Sequence, residues 1–77
     1  MKTLEILKYT GRNDKWAVRT FDKDASPQYS FNIATIKFHK NTGAVIGDVY
    51  TGGSLNADYI RQIADFMDNL NKEFDFS

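Results

Sequence analysis

Gly52-Gly53-Ser54-Leu55-Asn56, continued by Ala57 through Phe74, is the stretch whose reading decides the fold. Behind Asn56, the residues Ile60, Ile63, Ala64, Met67, Leu70 and Phe74 recur at three- and four-residue steps, the spacing of one helical face. Asp58, Arg61, Gln62, Asp65, Asp68, Asn69 and Lys72 fill the other side. Asn56 suits the N-cap, because its side-chain oxygen accepts an orphan N–H of the first turn. With that cap, Leu55 and Ile60 fall at the two positions of a hydrophobic staple. Arg61 precedes Asp65 by four residues and Asp68 precedes Lys72 by four, so both pairs are expected to meet, each worth about 0.2–0.5 kcal/mol. The spacing predicts one helix over about residues 56–74.

Upstream of the junction the pattern changes from period 3.6 to period 2. Residues 3–9 read as a strand, with Leu4 and Ile6 on one side and Leu7 and Tyr9 on the other. Gly11-Arg12-Asn13-Asp14 is a turn, and residues 15–22 form a second strand. There Trp16, Val18 and Thr20 point one way, and Lys15, Ala17, Arg19 and Phe21 the other. A loop over Lys23-Asp24-Ala25-Ser26-Pro27 leads into the longest strand, residues 28–39. Its apolar residues switch parity from Tyr29, Phe31 and Ile33 to Ala34, Ile36 and Phe38, which predicts either a bulge near 33–35 or a strand buried on both sides there. Gly43 closes a hairpin, and residues 44–51 make a fourth strand in which Gly47 marks a bend or a close backbone approach. The expected architecture is α+β, a single domain with a curved four-stranded antiparallel sheet and one C-terminal helix on one face.

The chain of 77 residues lies near the lower end of what one core sustains, so a second subunit is an expected supplement. There is no cysteine, hence no disulfide framework and no thiolate ligand or nucleophile. The apolar run at the start is broken by Glu5 and Lys8, and no stretch approaches the length of a membrane span, so a cytoplasmic protein is the expectation. His39 is the sole histidine and has no carboxylate at ligand spacing, which argues against a metal site or a histidine-based triad. The helix carboxylates fall on a solvated face without a pocket, and two aspartates, Asp22 and Asp24, are too few for a calcium loop. Thr51-Gly52-Gly53-Ser54 lacks the lysine and spacing of a phosphate-binding loop and reads as a turn and cap. A non-enzymatic protein without cofactor is expected.

Net charge is zero, yet residues 1–43 carry eight cations against four carboxylates, and residues 44–77 carry two against six. The strand region is therefore basic and the helix region acidic, a split that suits an anionic partner for the sheet. One helix covers one face, so some of the eleven aromatics must lie on or around the other. If Trp16 and Val18 meet the helix, Lys15, Arg19 and Phe21 share the open face. If Ile36 and Phe38 are core, Thr35, Lys37 and His39 face outward as well. Cations interleaved with aromatics on an open sheet follow a phosphate backbone and stack bases. The candidate contacts are Lys15, Arg19, Phe21, Lys37, Tyr9 and His39. The plainer alternative has Phe21 packed under the 23–27 loop and the lysines merely solvated. A rival reading is a phage or mobile-element accessory protein whose acidic helix face engages a host protein.

The strand Lys15-Trp16-Ala17-Val18-Arg19-Thr20-Phe21 and the junction Gly52-Gly53-Ser54-Leu55-Asn56 resemble the positive-cofactor-four family of transcriptional coactivators and their small bacterial relatives. The resemblance implies four strands and a helix, a homodimer, and single-stranded DNA bound along the sheet with Lys15, Arg19 and Phe21 on the binding face.

Overall fold

The computed structural model describes residues 2–22, 30–50 and 55–75. These form β1 (Lys2–Lys8), β2 (Lys15–Asp22), β3 (Ser30–His39), β4 (Gly43–Val49) and α1 (Ala57–Glu73). The four strands make one antiparallel sheet in the order β1-β2-β3-β4, and α1 packs nearest to β4. This is the expected α+β arrangement. The 23–27 loop, the start of the third strand at residues 28 and 29, and the 51–54 junction lie outside the described residues.

The β1–β2 and β3–β4 hairpins close through left-handed glycines. Gly11 has φ +78° in the β1–β2 turn and Gly43 has φ +81° after β3, a conformation that costs a residue without Cβ nothing. The β1–β2 turn sets the register that pairs Glu5 with Arg19, Ile6 with Val18 and Lys8 with Trp16. The expected bulge is present, because Val18 faces Ala34 while Arg19 faces Asn32, leaving Ile33 as the extra residue. A second register shift follows on β4, where Thr35 faces Asp48 and Ile36 faces Ile46, so Gly47 is the extra residue there. Each extra residue flips the parity of the strand beyond it, which is how one strand carries two apolar patterns.

The core is Trp16, Val18, Ile33, Ala34 and Ile36 from the sheet against Tyr59, Ile63 and Leu70 from α1. The Phe66 ring meets Trp16 edge to face at 5.9 Å, and the Phe74 ring lies on Phe38 at 4.6 Å. Asn56 caps the helix as expected, its Oδ1 accepting the Tyr59 N–H at 2.9 Å. Near the other end, Asn71 Oδ1 accepts the Ala44 N–H at 2.8 Å and ties α1 to the edge strand.

The helix departs from the sequence reading in several details. Ile60, Ala64 and Phe74 were expected in the buried stripe but are exposed, Ile60 and Phe74 at 55% and 46%. The reason is placement: α1 sits nearest the edge strand, where Ile60 and Ala64 line an open groove with Ile46 and Val49, while Phe74 is the C-cap residue with its ring on Phe38. Arg61 was expected to meet Asp65; its guanidinium instead reaches back one turn to Asp58 at 2.9 Å. Asp68 and Lys72, expected to meet, form no ion pair among the described residues. No helix among the described residues is long and apolar enough to cross a membrane.

The Asn56 cap gives the first prediction. Asn56→Ala removes the acceptor of the Tyr59 N–H and should lower stability by about 1 kcal/mol. Urea unfolding should show a lower midpoint at unchanged slope, since the buried surface stays the same.

Candidate nucleic-acid interface

Alternation along the strands divides the sheet cleanly. Trp16, Val18, Ala34 and Ile36 turn toward α1 and are buried, and the residues between them face the side that α1 leaves uncovered. Lys15, Arg19 and Phe21 on β2 and Lys37 and His39 on β3 share that open face. Tyr9 joins them just beyond β1, where its N–H donates to the Lys15 carbonyl at 3.0 Å. All six candidate residues therefore lie on one side.

They form two groups. Tyr9, Lys15, Lys37 and His39 gather at the end of the sheet where β1 and β3 finish and β2 and β4 begin. Lys15 and Lys37 are direct register partners, and like charges placed opposite on antiparallel strands repel. The repulsion is relieved by Tyr9, because the Lys15 ammonium lies over its ring, 4.6 Å from the centroid. Lys37 is half-buried, with its aliphatic stem laid over Gly47 of β4. Gly47 provides the room: a Cβ there would come within 2.9 Å of Thr35 Oγ1 and 3.0 Å of Lys37 Cε.

Thr35 is fully buried on this face despite its polarity. Its hydroxyl accepts the Asp48 N–H at 2.9 Å and donates to Asp48 Oδ2 at 3.1 Å, so the Gly47 bulge is locked by a side chain. Asp48 is thereby held on the open face near the lysines.

The second group is Arg19 and Phe21. Arg19 is not a free cation: its Nη2 donates to the Glu5 carboxylate, its register partner on β1. The pair is about one-third exposed, and the Arg19 Nε is left buried without a partner among the described residues. Phe21 is half-buried on the same face. The loop expected to cover it lies outside the described residues.

Two further charged groups sit in the β1–β2 turn. Arg12 donates to both carboxylate oxygens of Asp14, at 3.0 and 3.2 Å. That hydrogen bonding, with the Arg12 charge adding to it, holds the Asp14 carboxyl below its ordinary range and raises Arg12. Arg12 is thus also neutralised. Among the described residues the unpaired cations of the face are Lys15 and Lys37.

Sequence reading identified the cations but missed what holds them. Glu5 shares a parity with Leu7 and Tyr9, and counting back from the Gly11 turn would have placed it against Arg19. The Thr35–Asp48 lock had no comparable signal, because it depends on the bulge at Gly47. Among the described residues no cluster of His, Cys, Asp or Glu is arranged to hold a metal ion. Comparisons with family models, with curated proteins and with solved structures find no match.

Gly47 links fold to site, so Gly47→Ala should cost about 1–3 kcal/mol through overpacking against Thr35 and Lys37. Thermal and urea unfolding should both register the loss. A variant as stable as the parent would show that Lys37 can move aside freely.

Proposed function

We propose that this protein binds single-stranded nucleic acid, without sequence preference and without catalysis, on the sheet face opposite α1. The observation that supports this reading is the end of that face where Tyr9, Lys15, Lys37 and His39 converge. Lys15 and Lys37 are register partners on neighbouring strands, with the Lys15 ammonium over Tyr9 on one side and the Lys37 stem over Gly47 on the other, so a phosphate laid between them would be flanked by two cations. Tyr9 is held beneath the Lys15 ammonium, and a base laid near it would extend the stack. Phe21, further along β2, offers a second aromatic on the same side.

The neutralised Arg19 changes what such binding should look like. Among the described residues two unpaired lysines face the ligand, so the dependence on salt should be shallow for a nucleic-acid binder. Each phosphate neutralised on a single strand contributes a slope of about 0.7 in log K against log salt, so two give about 1.4 per chain. Glu5 acts as an internal competitor, since it occupies the guanidinium a phosphate would use.

The rival reading, a protein-interaction module, is supported by a different surface: an apolar groove between α1 and β4. It makes no use of the open face, so the two are separable.

Fluorescence anisotropy of a labelled single-stranded oligonucleotide tests the proposal. The Lys15→Glu/Lys37→Glu variant should lose binding, while Glu5→Gln should tighten it about two- to fivefold by releasing Arg19. Absence of binding by the parent protein at low salt, or binding indifferent to the lysine reversals, would refute it.

A further inference from the structure

The helix side of the sheet carries a surface that the nucleic-acid reading does not use. Ile46 and Val49 on β4 are 49% and 56% exposed, and Ile60 on α1 is 55% exposed. With Leu55, Ala64 and Met67 they line a groove of about 100 Å³ whose walls are apolar almost throughout. Small-molecule sites usually run from about 300 to 1,000 Å³, so this groove suits one or two side chains of a polypeptide. From Ile60 to Met67, α1 gives the groove about 10 Å of length, or two helical turns. Two apolar side chains one turn apart on an incoming helix fit that length.

Hydrogen bonding decides between a helix and a strand as the incoming element. A strand added to β4 would need the backbone groups of that edge, and the Ala44 N–H is already taken by Asn71 Oδ1 of α1. What the groove offers is side-chain contact, the mode of a helix laid in a groove.

Charge identifies the chemistry of the partner. α1 carries Asp58, Asp65, Asp68 and Glu73 against Arg61 and Lys72. Arg61 is engaged by Asp58 at 2.9 Å, whereas Asp65 and Asp68 are exposed and form no ion pair among the described residues. Asp68 follows Ala64 by four residues and so stands beside the apolar stripe, with Asp65 three residues before it on the same flank. Lys72 lies one turn further on, past Met67 and the groove. The other wall adds no cation, since the one charge on β4 is Asp48, and Asp48 is bonded to Thr35. The groove is thus apolar in its floor and acidic along its outer rim. Such a rim repels phosphates, which makes nucleic acid and anionic membranes poor occupants. It attracts a segment that carries lysine or arginine beside its apolar residues.

We infer that this groove docks a cationic amphipathic helix of a partner protein, with its apolar side chains against Ile46, Ile60 and Met67 and its cations against Asp65 and Asp68. The inference does not rest on nucleic-acid binding and leaves the lysines of the open face unused.

Fluorescence anisotropy tests it on the full chain with a labelled synthetic peptide of about 15 residues, Leu at i, i+3, i+4 spacing and Lys between. The same peptide with Glu for every Lys is the control. The Leu/Lys peptide should bind in the micromolar range, and the Leu/Glu peptide about tenfold more weakly or worse. Ile60→Ser, an exposed substitution, should weaken the Leu/Lys peptide about fivefold or more. Asp65→Lys/Asp68→Lys should turn the preference toward the Leu/Glu peptide. Circular dichroism checks that each variant folds; if Ile60→Ser does not, the charge reversal decides alone. No binding of the Leu/Lys peptide, binding indifferent to Ile60→Ser, or a preference that the charge reversal does not turn would overturn the inference. So would sedimentation velocity showing a dimer that Ile60→Ser dissociates, since a second copy would then hold the groove.

Discussion

One helix has to cover a sheet of two faces and two edges, and every other feature of this molecule follows from how it does so. Ile63, Leu70 and Tyr59 come down on Ile36, Val18 and Ala34, which removes the centre of one face from water. Burying an aliphatic side chain of this size is worth about 1.5–3 kcal/mol, so these few contacts carry much of the stability of so short a chain. What α1 does not cover falls to other contacts or to solvent: the opposite face, where Thr35 is buried and its neighbours Ala17 and Lys37 half-buried, and the apolar flank beyond β4. Function on this fold is a question of what takes those two surfaces.

The open face shows why formal charge is a poor guide to an interface. The basic half of the chain contributes Lys15, Arg19 and Lys37 to this side, but Glu5 claims Arg19 and Asp48 is held nearby by Thr35. Arg12, at the adjoining turn, is claimed by Asp14. The cations that the sequence interleaves with aromatics on this face thus reduce, among the described residues, to Lys15 and Lys37 at one end. The cation–π contact with Tyr9 holds Lys15 against the sheet, which restricts its ammonium in advance of any ligand.

How much of this was legible in the sequence follows from the range of each interaction. The α1 cap, the β2 parity and the parity switch on β3 are local patterns, and each is present in the structure. The exposure of Ile60 was not legible, because its helical spacing matches that of Ile63; only the lateral position of α1 on the sheet separates them. Arg61 faces the same limit in miniature, since its three- and four-residue partners are both aspartates and geometry alone selects Asp58. Fully buried Thr35 is the clearest case. On an outward parity it reads as solvent-facing, yet the bulge at Gly47 brings Asp48 back to satisfy its hydroxyl.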